Sequence, residues 1–206
     1  MPGPDMSTTN APFGLIPWGP VIRANLYAVA TNNTNAIGRG TLMEANGTVY
    51  ATPKCGVLAG AFDEEGGADG SLLGAVLAVF DHNMDPLKYL PATTTGNSVI
   101  AGIVLVADSP AQLYVIQEDG DTSSLVLNDV ANNADVIGTT VDTDTGLSAQ
   151  MIDSSSKGTT ATLAVKLMRP HPDDTVNSTN TAGRYSRWIV KLNSAHLGEG
   201  ATNTAV

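Results

Sequence analysis

The chain has 206 residues, only 15% of them charged, and its formal net charge is −10 at pH 7. Affinity for nucleic acid comes mainly from lysine and arginine, so this charge disfavours DNA, RNA and anionic membranes as partners. Aromatic residues make up 5% of the chain, so its core must be built from Val, Leu, Ile, Ala and Met.

Residues 1–22 contain five prolines, at positions 2, 4, 12, 17 and 20. Proline lacks the N–H that a central strand needs and restricts the residue before it, which predicts an extended arm. The arm also carries Phe13, Leu15, Ile16 and Trp18, which a solvated tail would not expose. We therefore expect it to lie in a groove, either of another subunit or of its own domain.

Residues 23–193 alternate apolar β-type runs with turn residues, which predicts roughly nine or ten strands and almost no helix. The sequence Asn46-Gly47 predicts a type I′ hairpin turn, since it supplies the positive φ angles that this turn requires. The runs that favour strands are 24–30, 41–45, 48–51, 72–80, 88–91, 98–107, 112–118, 162–168 and 187–192, and weaker candidates are 57–61 and 147–153.

The predicted fold class is therefore all-β (mainly β), with a β-sandwich or barrel core, extended N- and C-terminal arms and long loops. Residues 23–193 form one β-rich domain, and a break into two subdomains near 107–122 remains open. A short helical turn is expected around 128–132, and residues 194–206 form a C-terminal tail.

The motif Asp142-Thr143-Asp144-Thr145-Gly146 superficially resembles a calcium loop. The EF-hand has its glycine at position 6 and a glutamate at position 12, between two helices. Here glycine falls at position 5, Asp153 at position 12, and no flanking helix is predicted. The pattern favours a polar turn.

Other ionisable clusters give no stronger signal. His82 within 81–85 and His171 within 171–174 each stand among carboxylates, but a metal site usually needs three or four converging ligands. The acids at 63–65 lie in a Gly-rich loop, and the serines at 154–156 lack a Gly-x-Ser-x-Gly context. We therefore predict no catalytic, cofactor-binding or metal-binding residues and no cofactor.

Two remaining features concern packing and partners. Cys55 is the only cysteine, so no intrachain disulfide can form, and a small buried apolar residue is the favoured interpretation. Arg169, Arg184 and Arg187 bracket the polar loop 170–182. They could dock an acidic patch on a partner or form ordinary surface ion pairs.

Four segments, in serial order, resemble stretches of the tailed-bacteriophage capsid decoration (cement) proteins. Residues 10–17 resemble the opening A-P-F-G-L-x-P, and residues 114–120 resemble F-x-I-Q-x-D-G. Residues 143–154 resemble T-T-G-L-S-x-x-E-L-D-S. Residues 167–170 followed by 188–193 resemble L-x-x-R-P-D-N … V-K-I-N. The sequence departs from this pattern between residues 53 and 97.

The resemblance implies a structural virion protein with no enzymatic activity. It implies a homotrimer bound to the major capsid protein on the outer capsid surface, assembled in the host cytoplasm. Nucleic acid, membrane and small-molecule substrate are not expected as partners.

Three alternatives remain open from the sequence. One is another virion role, such as a head-fibre base or tail component. Another is a glycan- or surface-binding β-sandwich, which would need Trp18 or Trp188 exposed for stacking. The third is an enzyme.

Overall fold

The computed structural model describes residues 10–31, 33–45, 58–61, 71–92, 100–138, 140–174 and 184–193, with side chains described except at 58–61 and 71. This part of the chain is all-β, as predicted, and its one helical element is a 3₁₀ helix, Leu127–Asp129. Its strands are β1 (Ile16–Trp18), β2 (Ala24–Ala30), β3 (Leu42–Ala45), β4 (Leu58–Ala61), β5 (Ser71–Asp81), β6 (Pro86–Leu87), β7 (Ile100–Ala107), β8 (Leu113–Gln117), β9 (Asn133–Ile137), β10 (Met151–Gly158), β11 (Val165–Pro170) and β12 (Arg187–Leu192).

The first sheet curls into a ring. Its strand order is β3-β4-β2-β7-β5-β6, and β3 also pairs with β5, so five strands close on themselves. The pairing of β2 with β4 is parallel, and the other pairings in this sheet are antiparallel. The interior of the ring is filled by small and branched apolar side chains, including Val29, Met43, Val76 and Val104.

The second sheet has the order β1-β8-β12-β11-β9-β10 and is antiparallel throughout. A single bridge connects the far edge of this sheet back to β8, between Glu118 just after β8 and Ile152 on β10. The main-chain N–H of Asp119 donates to the carbonyl of Ile152 at 3.0 Å and reinforces this contact.

A second core lies between the two sheets. Trp188 and Tyr114 from the second sheet pack with Leu42 and Ala75 from the ring, and Leu15 from the N-terminal segment joins them. All five are fully buried. Burying one leucine contributes about 1.5–3 kcal/mol, so the N-terminal segment is part of what holds the sheets together.

Most of the predicted strands are confirmed within a few residues, and β2 and β12 coincide with their predicted bounds. The sequence did not indicate β1, because Pro17 argued against a strand, yet an edge strand tolerates proline. It also did not indicate β9, where only Ala134 and Val136 face the core. The turn at 46–47 and the predicted strand 48–51 lie outside the described residues.

The chain passes from the ring to the second sheet between Ala107 and Leu113, inside the stretch where a division was left open. The core between the sheets includes residues from both sides of this passage.

Candidate functional site

The N-terminal segment packs on its own chain over residues 10–22. Strand β1 pairs with β8, with Ile16 opposite Val115. The N–H of Leu15 donates to the carbonyl of Gly40 at 2.7 Å, and the N–H of Ala11 donates to Gln117 Oε1 at 3.2 Å. Of the two arrangements expected for the arm, the structure has this one. Residues 1–9 lie outside the described part.

Two glycines make this docking possible. Gly14 and Gly40 have φ angles of +67° and +81°, a region that L side chains rarely adopt. A Cβ on Gly14 would lie 2.3 Å from the Gly40 carbonyl oxygen and 2.7 Å from Cβ of Ser148. The N-terminal segment, the loop before β3 and the loop before β10 therefore meet at van der Waals limits.

The segments that carry the family resemblance come together in the second sheet. Ile16 pairs with Val115, and Val115 pairs with Ile189 on the next strand. That strand, β12, pairs onward with β11 over the fourth segment. The third segment joins through the bridge between Glu118 and Ile152. Stretches far apart in sequence thus meet in one sheet.

The calcium-like loop is a polar turn whose acceptors are already engaged. Asp142 Oδ1 accepts the N–H of Asp144 at 2.8 Å, and these turn hydrogen bonds lower the pKa of Asp142. The ammonium of Lys88 donates to the carbonyls of Thr143 and Asp144 at 3.2 and 2.9 Å. A lysine cation therefore takes the carbonyl oxygens that a calcium ion would need.

The cluster at 81–85 is a second such turn. Asp81 Oδ1 accepts the N–H groups of Asn83 and Asp85 at 2.7 and 2.8 Å. The bond from Asp85, followed by weaker contributions, lowers the pKa of the Asp81 carboxyl. The carboxylate serves to stabilise the turn in which Met84 has a φ of 75°.

The cluster at 171–174 organises the loop after β11. His171 is mostly buried, and its ring meets Trp18 edge-to-face at 5.0 Å. Asp174 forms an ion pair with Arg187, with Nη2 and Oδ1 2.6 Å apart. This contact ties the loop to the start of β12.

The three bracketing arginines thus have different environments. Arg187 is ion-paired to Asp174, whereas Arg184 donates from Nε to the carbonyl of Gly120 at 2.6 Å. The side chain of Arg169 is exposed on β11 and has no hydrogen bond or ion pair within the described residues.

Asp108 anchors a buried network where β7 ends. Its carboxylate accepts Nε–H of Arg23 at 2.8 Å, Nδ2–H of Asn25 at 2.7 Å and the hydroxyl of Tyr27 at 2.6 Å. Burial alone would raise the pKa of Asp108, but these three donors lower it below its usual value. Burial and the adjacent carboxylate raise the pKa of Tyr27. The network fixes β2 to β7.

Glu118 is a fully buried carboxyl at the bridge that returns the second sheet to β8. Oε2 accepts the N–H of Leu125 at 2.8 Å, while Oε1 has no hydrogen-bond partner within the described residues. Burial is the main reason that the pKa of Glu118 rises to about 7; nearby Asp119 raises it further. The sequence did not indicate this residue, because nothing in it marks the position just after β8 as buried.

One group of three carboxylates occurs in the described residues: Asp119, Asp121 and Asp153 offer oxygens within 4.8 Å of one another. Such oxygens could hold a cation. The hydroxyl of Ser154 lies 2.7 and 2.8 Å from Asp119 and Asp121, and the N–H of Ser155 donates to Asp153 at 2.8 Å. Because local donors already meet these carboxylates, we assign no metal to the group.

The glycan-binding alternative requires Trp18 or Trp188 to be exposed for stacking. Trp188 is fully buried, with Nε1–H donating to Oγ of Ser186 at 3.0 Å. Trp18 is half-buried against His171. Trp188 therefore cannot serve as an exposed platform. Cys55 and the acids at 63–65 lie outside the described residues.

No family model, curated protein or solved structure matches this chain. Within the described residues, the structure contains no helix of the length and apolar character needed to cross a membrane.

Proposed function

We propose that this chain is a capsid decoration, or cement, protein of a tailed bacteriophage. It binds the outer surface of the phage head and stabilises contacts between subunits of the major capsid protein. The observation that carries the proposal is the spatial continuity of the resembling segments. Strands from residues 10–17, 114–120, 167–170 and 188–193 pair within one sheet, and residues 143–154 join it through the bridge between Glu118 and Ile152.

Charge supports the outer face of the shell as the binding site. A chain of net charge −10 is repelled by packaged DNA, whereas phosphate binding needs an excess of lysine and arginine. The virion is thus the proposed location and the major capsid protein the proposed partner. The protein acts as a homotrimer assembled in the host cytoplasm, without nucleic acid, membrane or substrate.

The chemistry of the described residues supports a role without catalysis. The carboxylates of Asp81, Asp108 and Asp142 hold turns and strand ends through hydrogen bonds. The buried hydroxyl of Tyr114 donates to the carbonyl of Ala107 at 2.6 Å and joins the two sheets. These groups serve as structural anchors.

The proposed mechanism is thermodynamic linkage. A protein that binds only the assembled shell stabilises it by mass action, by RT ln(1 + [L]/Kd) for each site. Three linked subunits at each site, repeated over the shell, add avidity without new contacts.

An add-back experiment tests this function. Heads that lack the protein are mixed with the purified chain, sedimented, and heated in the presence of a DNA-binding dye. We expect saturable co-sedimentation and a higher temperature of DNA release, whereas heads already carrying the protein should bind no more. Heads that sediment without the chain, at any chain concentration, would contradict the proposal.

A further inference from the structure

Two lysines of like charge face each other on the outer surface of the second sheet. Lys166 on β11 pairs in register with Lys191 on β12, and both side chains are exposed. The row continues to Leu113 on one side and Asn133 on the other, so no carboxylate stands beside either lysine in register. Like charges directly opposite each other across strands destabilise a sheet.

A β-bulge enlarges this positive surface. The register of β11 and β12 shifts between Leu167 and Arg169, which leaves Met168 as an extra residue. Bulges redirect side chains, and here Met168 and Arg169 are both exposed. Arg169 thus adds a third cation beside the two lysines.

Of the other six basic side chains in the described residues, all but that of Arg39 have an ion pair or a carbonyl contact. Ion pairs or carbonyl contacts engage Arg23, Lys88, Lys157, Arg184 and Arg187. By contrast, the side chains of Lys166, Arg169 and Lys191 have no hydrogen bond or ion pair within the described part. The chain has twice as many acidic as basic residues. These three cations nevertheless have no carboxylate partner within the described part.

Exposed apolar side chains flank the same surface. The 131–132 segment pairs with β11, since the N–H of Ala131 donates to the carbonyl of Leu167 at 2.8 Å. Just before it, Val130 and Leu127 are 39% and 37% exposed, and Met168 is 39% exposed. Protein interfaces combine an apolar centre with a polar, solvent-accessible rim, and these exposed apolar side chains together with the cations match that composition.

We propose that this surface, the cationic face, is a docking site for a carboxylate-rich surface of a partner protein. The cationic face comprises Lys166, Met168, Arg169 and Lys191, flanked by Leu127 and Val130. Its charge is complementary to carboxylates, and its apolar residues fit side chains of a folded partner. The proposal holds whether or not the partner is a phage shell.

The net charge of the chain selects a protein partner over an extended polyanion. Duplex DNA or an anionic membrane would present negative charge to the whole acidic molecule and be repelled by it. The charge of a localised carboxylate patch acts only over about one Debye length, roughly 8 Å at physiological salt. Such a patch therefore interacts with the cationic face and not with the acidic remainder of the chain.

A titration with a short synthetic glutamate-rich peptide, followed by NMR of the ¹⁵N-labelled full chain, tests the proposal. We expect saturable shifts confined to β11, β12 and residues 127–131, with affinity that falls steeply as salt rises. Neutralising the three cations together (K166S, R169S and K191S) should weaken binding at least tenfold. Arg39→Ser is the matched control, because Arg39 is also exposed and without an ion pair in the described part, and it should bind as the parent does.

A stability readout on the same protein separates docking from a structural role. Lys191→Glu creates an opposite-charge pair with Lys166, so we expect a higher denaturation midpoint together with loss of peptide binding. Several results would overturn the proposal: absence of saturable peptide binding, equal weakening by Arg39→Ser, or a lower midpoint for Lys191→Glu. Tighter binding of duplex DNA or anionic vesicles at these residues, or self-association through them, would also overturn it.

Discussion

Replacing Gly14 by alanine is expected to lower the free energy of unfolding by about 2–5 kcal/mol. The positive φ of Gly14 costs an L residue roughly 1–2 kcal/mol, and overpacking against fixed neighbours typically costs 1–3 kcal/mol more. The neighbours here are the backbone of Gly40 and the side chain of Ser148, neither of which can swing away as a long side chain would. Equilibrium unfolding in denaturant measures the loss.

Gly19 provides the matched control. Its φ is +81°, but a Cβ at this position would meet no atom within 4 Å. Gly19→Ala should therefore cost only the backbone strain, about 1–2 kcal/mol. Equal losses for the two variants would contradict the close meeting of the N-terminal segment with both loops.

Replacing Glu118 by glutamine is expected to change the pH dependence of stability. The pKa of Glu118 is raised by burial from its ordinary 4.5 to about 7 in the folded state. A raised pKa means that the folded state binds the proton more tightly than the unfolded state does. The carboxyl thus supports folding most fully below about pH 4.5, and this support is lost as the pH rises through 7.

The difference between 4.5 and about 7 corresponds to roughly 3 kcal/mol, at 1.36 kcal/mol for each pH unit. Glutamine keeps an oxygen for the N–H of Leu125 and cannot ionise. The variant and the parent should therefore have similar stabilities near pH 4.5, while the variant is more stable by roughly 3 kcal/mol at pH 8. Unfolding in urea at a series of pH values gives this difference directly.

Asp144→Asn is the control for surface charge, because it removes the same formal charge from an exposed turn. If the free energies of unfolding of Glu118→Gln and the parent changed in parallel over this pH range, ionising Glu118 in the folded state would carry no free-energy cost. That result would contradict the raised pKa of Glu118.

The sequence predicted strands well where short apolar runs are bounded by polar residues. Strands β2 and β12 coincide with their expected bounds, since both are such runs. The prolines indicated an extended segment around Pro17, but strand β1 itself depends on tertiary context, because it is defined by the pairing with β8. Ring closure of the first sheet could not be predicted either, since it rests on the long-range pairing of β3 with β5.

The properties of the site residues were harder to predict. Sequence favoured a polar turn at 142–146, and the geometry of Asp142 and Lys88 fits one. The sequence could not show that Lys166 and Lys191 lie opposite each other, because the pairing of residues separated by 24 intervening positions is set by the fold. The burial of Glu118 likewise depends on long-range contacts, which are the bridge to Ile152 on β10 and the hydrogen bond to the carbonyl of Ser186 just before β12.

Cryo-electron microscopy of purified virions carrying this chain is the most direct test of the proposed decoration of the capsid. We expect regular copies of this β fold on the outer surface of the head, each touching more than one major capsid protein subunit. Density for the chain inside the shell against the genome, or its absence from the head, would contradict it.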